Sequence, residues 1–124
     1  CCFMTSINNI GVGLDIENID RFAKLDLKKN RNFFDRVYTR KEKKYCLLKS
    51  NPFPHLAARF AAKEAIKKTI GDKIAFSEIE ITNDKNGAPK VKFLNKRIKK
   101  KYKSIISISH TQSMVQAVCI TFKN

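Results

Sequence analysis

The stretch from His55 to Ile70, which Gly71 follows, predicts a long helix, and this helix restricts the fold more than any other feature. At about 100° per residue its alanines share one contiguous face, and larger apolar side chains fill the opposite face. The alanines are Ala57, Ala58, Ala61, Ala62 and Ala65, and the larger apolar residues are Leu56, Phe60, Ile66 and Ile70. A helix that is apolar on two sides is covered on both, and charged groups within it need partners. We therefore expect a central helix with other elements packed on each side.

Three elements are predicted before this helix. They are a strand over residues 7–15, an amphipathic helix over residues 18–28 and a helix from Thr39 towards Lys49. The last of these begins with a capping box, because Glu42 stands three residues after Thr39. We expect Pro52 and Pro54 to end it, since proline interrupts the hydrogen bonding of a helix.

The second half of the chain is predicted to form strands. Alternation over residues 77–83 is followed by a turn at residues 84–87 and a returning strand over residues 90–94. Residues 104–110 and 114–122 form another apolar pair around a short polar segment. The predicted order of elements is one strand, several helices and then four strands. This order differs from the regular β-α alternation of a doubly wound fold. The predicted fold class is α+β, with a mostly antiparallel sheet packed on helices.

Length and charge limit the organisation of the chain and its partners. The 124 residues are expected to form one domain over residues 1–124, and no apolar run is long enough to span a membrane. Lys and Arg number 26 against 11 Asp and Glu, which gives a net charge of +15. Such a chain favours an anionic partner: a nucleic acid, an anionic lipid, an acidic protein or a phosphorylated small molecule. The charge does not choose among these four.

The basic segment at residues 96–101 supports one alternative interpretation, a nucleic-acid-binding or ribosome-associated module. No RNP-type aromatic motif or zinc finger accompanies it. The four cysteines lack C-x-x-C spacing, and scattered thiols of this kind are typical of a reducing compartment. The chain begins with Cys1 instead of Met, so we expect a processed N-terminus. The cytoplasm and a plastid-type organelle, reached through a removed targeting segment, both fit.

The first candidate site is the glycine-rich segment at residues 11–15. On a strand, Gly11, Gly13 and Asp15 share one face, and the glycines leave space beside the carboxylate. A ligand or another backbone can approach there. A lone carboxylate at the end of a strand suits Mg²⁺, which takes one or two protein carboxylates. The alternative is that Asp15 caps the following helix while the glycines pack against it.

The second candidate site lies on the central helix. Glu64 and Lys68 are one turn apart at the rim of the alanine face, close enough to interact. Arg59, Lys63 and Lys68 offer positive charge to phosphates, and Glu64 offers a metal ligand or a base. The alternative is an ordinary surface ion pair between Glu64 and Lys68.

Two further segments contain polar groups of interest. A catalytic pair of Ser109 and His110 is disfavoured because neighbouring residues on a strand point to opposite faces. We expect His110 either to contact a polar ligand or to be satisfied internally. The basic stretch from Arg21 onward is followed by Phe33 and Phe34. This mixture of cations and apolar anchors suits the docking of an acidic helix, and the alternative is a solvated charged face.

Five stretches of the chain together resemble a known family. They are GVGLDIENIDR, RVYTRKE, LAARFAAKEAIKKTIG, EIEITNDKNGAP and SISHT, in this order over nearly the whole chain. They resemble the holo-acyl-carrier-protein synthases, the small 4′-phosphopantetheinyl transferases. The resemblance implies a compact α+β subunit in a homotrimer with active sites at subunit interfaces. It also implies Mg²⁺-dependent transfer of phosphopantetheine from coenzyme A to a serine of an acidic apo acyl carrier protein, with release of adenosine 3′,5′-bisphosphate, in fatty acid biosynthesis. Neither a membrane nor a nucleic acid is then expected as a partner.

The resemblance assigns roles to individual residues. Asp15 and Glu64 would bind Mg²⁺, and Glu64 would accept the proton of the attacking serine. Lys68 would neutralise or protonate the leaving phosphate. The residues implied at the coenzyme are Arg59, Lys63, Lys68, Gly71, Asn86, Gly87, Pro89, His110 and Thr111. The residues implied at the carrier protein are Arg21, Lys28 and Phe33.

The sequence departs from the family at three places. Ala58 stands where glycine is common, so we expect a tolerated change with an altered coenzyme affinity. The segment at residues 49–54, where a loop often contacts a phosphate, is shorter and richer in proline. Lys28 in place of an arginine offers a point charge instead of a bidentate fork, which weakens the implied carrier contact.

Overall fold

A 17-residue helix, Phe53–Thr69, forms the centre of the computed structural model, which describes residues 5–7 and 9–124. In chain order the elements are β1 (Thr5–Ile7), β2 (Ile10–Asn18), α1 (Ile19–Ala23), α2 (Arg31–Val37), α3 (Arg40–Leu47), α4 (Phe53–Thr69), β3 (Ile79–Asn83), β4 (Pro89–Phe93), α5 (Lys96–Lys101), β5 (Tyr102–His110) and β6 (Met114–Lys123). A 3₁₀ turn, Phe76–Glu78, precedes β3. The long helix expected from the sequence is confirmed as α4, and it begins slightly earlier than expected.

Two antiparallel sheets contain the described strands. The larger sheet has the strand order β1-β2-β6-β5, and the smaller one is the hairpin β3-β4. Helix α4 packs on β2 and β6 of the larger sheet, while α1, α3 and β3 contact its other sides. The fold is therefore α+β with antiparallel sheets packed on helices, as predicted. The expectation that the central helix is covered on both sides is also confirmed.

The larger sheet turns small residues towards α4 and large apolar residues outward. On β2, Gly11 and Gly13 are buried, whereas Ile10 and Val12 are exposed. A Cβ atom added to Gly13 would lie 2.1 Å from the carbonyl oxygen of Ala65 in α4. The expected approach of another backbone to the glycines is thus confirmed, and the approaching backbone is that of α4.

The other side of α4 is closed by aromatic rings and a buried ion pair. Phe60 of α4 packs against Phe22 of α1, with ring centroids 5.6 Å apart. Lys63 of α4 is fully buried beside Glu42 of α3. The predicted capping box of α3 is present, since Thr39 Oγ1 accepts from Glu42 N and Glu42 Oε1 accepts from Thr39 N. Lys63, the fully buried cation of the central helix, thus has the partner that burial requires.

The helix predicted over residues 18–28 is wrong in extent, because α1 ends at Ala23. Beyond it, Lys28 N donates to the carboxylate of Asp26, and Asp26 N donates to Asn30 Oδ1. Side chains that bond to nearby backbone in this way offer an alternative to helical hydrogen bonds. The chain becomes helical again in α2, which was not predicted from the sequence.

Pro52 and Pro54 start α4 and do not end α3, which corrects the expectation about them. Helix α3 already ends at Leu47. Pro52 is the N-cap of α4, and Pro54 lies in its first turn. The missing N–H of proline costs nothing there, because the first N–H groups of a helix have no partner within it.

The two predicted hairpins are confirmed as β3-β4, around the turn at residues 84–87, and β5-β6. The first strand differs from the expectation. Ile7 belongs to β1 and pairs with Ile10, where β2 begins. The strand predicted from Ser77 begins instead at Ile79, after the 3₁₀ turn.

The basic run that favoured a nucleic-acid interpretation forms α5, which Asn95 caps by accepting from Arg97 N and Ile98 N. Within residues 5–7 and 9–124, no helix combines the length and apolarity that a membrane span requires. The expectation about processing at Cys1 lies outside the described residues.

Candidate active site

Asp15 and Glu64 lie where β2 crosses α4, close enough for the charge of Asp15 to raise the pKa of Glu64. Because Gly13 lets the two backbones approach, the next inward residue of β2, Asp15, faces the helix. Lys68 Nζ donates to the carbonyl oxygen of Leu14 at 2.6 Å and lies 3.5 Å from Asp15 Oδ1. Glu64 precedes Lys68 by one turn of α4. The structure therefore brings together the residues implied as catalytic, and we call Asp15, Glu64 and Lys68 the catalytic group.

The two carboxylates of the catalytic group suit a divalent cation. Asp15 Oδ2 is buried and accepts no hydrogen bond from the described residues. Burial raises the pKa of Glu64, and the negative charge of Asp15 raises it further. A cation between the carboxylates would relieve both effects. Mg²⁺ takes one or two protein carboxylates and completes its shell with water and phosphate oxygens, so these residues fit the ion.

Glu17 is a third carboxylate beside the catalytic group, and it was not predicted from the sequence. Its side chain is 11% exposed and pairs with Arg21 Nη1 at 3.0 Å. Burial, a hydrogen bond with Asp15 and the charge of Asp15 raise the pKa of Glu17 to about 8, while Arg21 opposes the shift. The period of two along a strand could have revealed this residue, because Glu17 follows Asp15 by two positions.

A second group of implied residues lines a cavity of about 500 Å³ on another side of α4. Arg59 comes from α4, Gly87 and Pro89 from the β3-β4 hairpin, and His110 from the end of β5. We call this space the basic cavity. Ala58 and much of the segment at residues 49–54, where the sequence departs from the family, also line it. Tyr45, His55 and Asn83 line it too and were not predicted from the sequence.

Positive charge is concentrated in the basic cavity. Arg59 is 4% exposed, and its Nη2 donates to Asn83 Oδ1 at 2.7 Å, whereas its Nε has no partner among the described residues. The Arg59 guanidinium lies 4.3 Å from the centre of the Tyr45 ring, and Lys49 Nζ lies 4.5 Å from the same ring. Burial and these two cations lower the pKa of His55. The cavity can therefore accept an anionic group such as a phosphate.

Lys63 reaches neither group, which corrects its expected contact with a phosphate. Its side chain is fully buried. Lys63 Nζ donates to Glu42 Oε1 at 2.5 Å, to Val37 O at 2.6 Å and to Phe76 O at 3.1 Å. These bonds use the three donors of the ammonium group, so none remains for a ligand.

Gly71, Asn86 and Thr111 lie outside the wall of the basic cavity. Gly71 follows the C-terminal end of α4, at the far end from the cavity. Asn86 N donates to Asp84 Oδ1 in the β3-β4 turn. Thr111 Oγ1 accepts from Met114 N in the β5-β6 turn. The contacts of these three residues with the coenzyme stay predictions.

The residues implied at the carrier protein lie on α1, on α2 and between them. Arg21 and Lys28 are exposed, and Phe33 is half-buried. The Arg21 guanidinium lies 5.5 Å from the centre of the Phe60 ring of α4. Phe34, which was considered with Phe33 as an apolar anchor, is buried in the core. The expectation that Phe34 is available for docking is therefore wrong.

A sequence model described as the 4′-phosphopantetheinyl transferase superfamily matches residues 11–121. The chain therefore belongs to this superfamily. A holo-[acyl-carrier-protein] synthase of Thermodesulfovibrio yellowstonii is 39% identical over 114 residues, which cover 89% of this chain and 96% of the relative.

Solved structures agree with this placement. A holo-[acyl-carrier-protein] synthase of Neisseria meningitidis superimposes with a TM-score of 0.78 at 30% identity, covering 90% of this chain and 97% of that one. The synthase of Bacillus anthracis, solved with CoA (3′,5′-ADP), gives a TM-score of 0.75 at 26% identity, with 91% and 96% covered. Within the superfamily, these relatives place the chain among the holo-[acyl-carrier-protein] synthases, enzymes that transfer phosphopantetheine to acyl carrier protein. The resemblance to this family is confirmed, and the nucleic-acid-binding alternative is not favoured.

Proposed function

We propose that the enzyme, with Mg²⁺, transfers 4′-phosphopantetheine from coenzyme A to a serine of an acidic apo acyl carrier protein and releases adenosine 3′,5′-bisphosphate. The modified carrier would then be used in fatty acid biosynthesis. The observation that carries the proposal is the placement of Asp15 beside Lys68 and near Glu64, with Asp15 Oδ2 unpartnered among the described residues. The CoA (3′,5′-ADP) bound by the Bacillus anthracis relative supports the choice of coenzyme. The bacterial sources of the relatives named above favour the cytoplasm over a plastid-type organelle.

The proposed reaction does not require a strongly nucleophilic side chain from the enzyme. The serine oxygen bonds to the phosphorus that bears pantetheine, and the diphosphate bond to the adenosine half breaks. Mg²⁺ held by Asp15 and Glu64 would supply charge neutralisation at that diphosphate. In this proposal Glu64 accepts the proton of the serine hydroxyl. In the same proposal Lys68 neutralises the departing phosphate, and the cations of the basic cavity bind a phosphate of the coenzyme.

We propose further that the active form is a homotrimer with sites at subunit interfaces. Within one chain, Asp15 is on β2 and His110 is on β5, and β6 separates the two strands. On α4, Arg59 of the basic cavity and Glu64 of the catalytic group are five residues apart, which is about 140° around the helix axis. The outward face of the larger sheet exposes apolar side chains, namely Ile10, Val12, Leu14, Ile16, Ile105, Met114 and Phe122. Apolar surface of this kind marks a protein interface, and a neighbouring subunit there could supply the missing half of each site.

The proposed reaction is tested with the full chain, a bacterial apo acyl carrier protein, coenzyme A and Mg²⁺. The mass of the carrier, measured by mass spectrometry, is expected to increase by one phosphopantetheine group. No increase is expected when EDTA is added or coenzyme A is omitted. A carrier of unchanged mass in the complete mixture would contradict the proposal, and an increase that persists in EDTA would contradict its metal requirement.

Amide variants test the catalytic group. Asp15→Asn and Glu64→Gln keep the side-chain shape and remove the charge, and each is expected to lower the transfer rate by about 10²-fold or more. Asp35→Asn is the matched control, because Asp35 is an exposed carboxylate on α2 that pairs with Lys43. Normal turnover by either site variant removes that residue from the catalytic group.

A further inference from the structure

Arg21, Glu17 and Asp15 form a continuous line of contacts from the implied carrier surface to the catalytic group. Arg21 Nη1 donates to Glu17 Oε1 at 3.0 Å. The Arg21 side chain is 57% exposed, whereas that of Glu17 is 11% exposed. On its inner side, Glu17 shares one face of β2 with Asp15, which precedes it by two residues. One end of this line is therefore open to an acidic partner, and the other end touches the residues that would hold the metal ion.

Arg21 is held above the site by more than its ion pair. Its guanidinium carbon lies 5.5 Å from the ring centre of Phe60 and 5.8 Å from that of Phe22. Phe60 precedes Glu64 by one turn of α4. A cation supported by aromatic faces can keep its place when a carboxylate partner leaves. An acidic group of the carrier can thus take over the donors of Arg21 without displacing the side chain.

The pair of Glu17 and Arg21 differs from a usual surface ion pair. Exposed ion pairs four residues apart contribute little to stability. Glu17 is instead largely buried beside two other carboxylates, and like charges in such a site repel one another. A positive partner stabilises the charged form of Glu17 in this site, and either Arg21 or a metal ion can supply the positive charge.

We propose that Glu17 couples carrier binding to metal binding by exchanging Arg21 for the metal ion as its partner. The inference rests on the proposed function. In the free enzyme Arg21 holds Glu17, and no three His, Cys, Asp or Glu side chains of the described residues are arranged as a metal site. When an acidic group of the carrier engages Arg21, Glu17 is released and joins Asp15 and Glu64 as an oxygen donor. Carrier and metal then tighten each other's binding by the same factor, as thermodynamic linkage requires.

The coupling is measured with Mn²⁺ as the probe and without coenzyme A, so that no transfer occurs. The electron paramagnetic resonance signal of free Mn²⁺ gives its Kd for the full chain, with and without a saturating bacterial apo acyl carrier protein. The carrier is expected to lower this Kd by at least about fivefold, which is the lower end of typical coupling. Mn²⁺ is expected to lower the Kd of the carrier by the same factor. Equal Mn²⁺ affinities in the two states would overturn the proposal.

Three variants identify Glu17 as the coupling residue. Glu17→Gln is expected to reduce the coupling factor to about one while the carrier still binds. Arg21→Ala is expected to increase the Mn²⁺ affinity of the carrier-free enzyme towards the carrier-bound value, because Glu17 is released. The double variant Glu17→Gln/Arg21→Ala is expected not to show this increase in Mn²⁺ affinity. It therefore distinguishes release of Glu17 from a general loss of positive charge. Coupling that persists in Glu17→Gln, or an Arg21→Ala enzyme with unchanged or lower affinity, would overturn the proposal.

Asp72→Asn is the matched control for these variants, because it breaks an ion pair with Lys101, 2.8 Å long, away from the catalytic group. It is expected to leave Mn²⁺ affinity and coupling unchanged, and thermal unfolding by circular dichroism verifies that each variant is folded.

These experiments distinguish failure of the proposed function from failure of the coupling. Absence of Mg²⁺-dependent transfer contradicts the proposed function and the coupling together. If transfer occurs but the Mn²⁺ affinity changes neither with the carrier nor in Arg21→Ala, the coupling alone is contradicted.

Discussion

Gly13 is the residue that allows the two carboxylates of the catalytic group to meet. A Cβ atom at this position would lie 2.1 Å from Ala65 O and 3.0 Å from Thr69 Cγ2. The first of these contacts is with backbone, which cannot move aside as the end of a flexible side chain can. The absence of a side chain thus sets how closely α4 lies on β2, and Asp15 follows on the same face of the strand.

We expect Gly13→Ala to reduce stability and metal affinity together. Overpacking at this contact is expected to cost about 1–3 kcal/mol of unfolding free energy, measured by denaturant titration. The Kd for Mn²⁺ should increase, because α4 must move away from β2. Gly71→Ala is the control, since the nearest atom to its Cβ is 3.8 Å away, and its stability change should stay within about 0.5 kcal/mol. A Gly13→Ala protein with normal stability would show that this contact does not set the distance between α4 and β2.

The contacts of Lys63 could not be predicted from its position in the helical pattern of α4. The sequence groups it with Arg59 as a cation available to phosphates, and only one of the two lines the basic cavity. The partners of Lys63 are Val37, Glu42 and Phe76, which come from three other segments. Burial lowers the pKa of Lys63, and the negative charge of Glu42 opposes this shift.

Lys63→Met is expected to lower the unfolding free energy by about 3–5 kcal/mol, because it leaves Glu42 as a buried charge without its partner. Glu42→Leu is expected to have an effect of similar size. The double variant should cost clearly less than the sum of the two, which denaturant titration of all four proteins would show. The KM for coenzyme A of the folded variants should change little. A large increase in this KM at normal stability would restore the phosphate contact expected from the sequence.

The elements with strong local signals were predictable from the sequence. Helix α4 follows from its apolar faces, α3 from the capping box of Thr39 and Glu42, and the hairpins from their turns. The end of α1 was not predictable, because side-chain bonds of Asp26 compete there with a continuing helical pattern. Proline was ambiguous for a physical reason, since it interrupts the interior of a helix and suits the first turn.

The same distinction applies to the sites. Asp15, Glu64 and Lys68 follow from the periods of one strand and one helix, once the two elements cross. The basic cavity is assembled from α3, the segment after it, α4, the β3-β4 hairpin and β5. Tyr45 and His55 acquire their positions only through this tertiary arrangement. No local pattern could therefore have assigned them.

The walls of the basic cavity predict a test of coenzyme binding. Arg59→Met is expected to raise the Kd for coenzyme A by about tenfold or more, because hydrogen bonds to charged groups contribute about 1.5–3 kcal/mol. Isothermal titration calorimetry measures the Kd. Lys44→Met is the charge-matched control, because Lys44 is an exposed residue of α3 that does not line the cavity. Equal effects of the two substitutions would reduce the role of Arg59 to its contribution to net charge.

Across the whole molecule, charge and apolar surface are unevenly distributed. No Asp or Glu follows Asp84 in the chain, whereas Lys and Arg continue through α5 to Lys123. This region contributes much of the net charge of +15, and such a field raises the rate at which acidic partners arrive and weakens with salt. The residues implied at the carrier protein, Arg21, Lys28 and Phe33, would instead set the affinity for the carrier. Long-range attraction and specific binding would therefore depend on different parts of the molecule.

The outward face of the larger sheet predicts that assembly and activity are lost together. Val12 is 40% exposed and Leu14 is 43% exposed on this face. Val12→Glu is expected to leave the subunit folded, because the side chain points away from α4. It should convert the proposed trimer into monomers, since burying a charge in an apolar interface is costly.

Analytical ultracentrifugation and the carrier mass assay together check this expectation. Transfer should fall in proportion to the trimer that remains, because Arg59 of the basic cavity and Glu64 of the catalytic group lie about 140° apart around α4 within one chain. Leu94→Glu is the matched control, since Leu94 is 45% exposed and lies outside the larger sheet. A monomeric Val12→Glu enzyme with full activity would show that one chain contains a complete site. In that case the basic cavity would need a different role from the one proposed, because Arg59 in its wall and Glu64 of the catalytic group lie about 140° apart around α4.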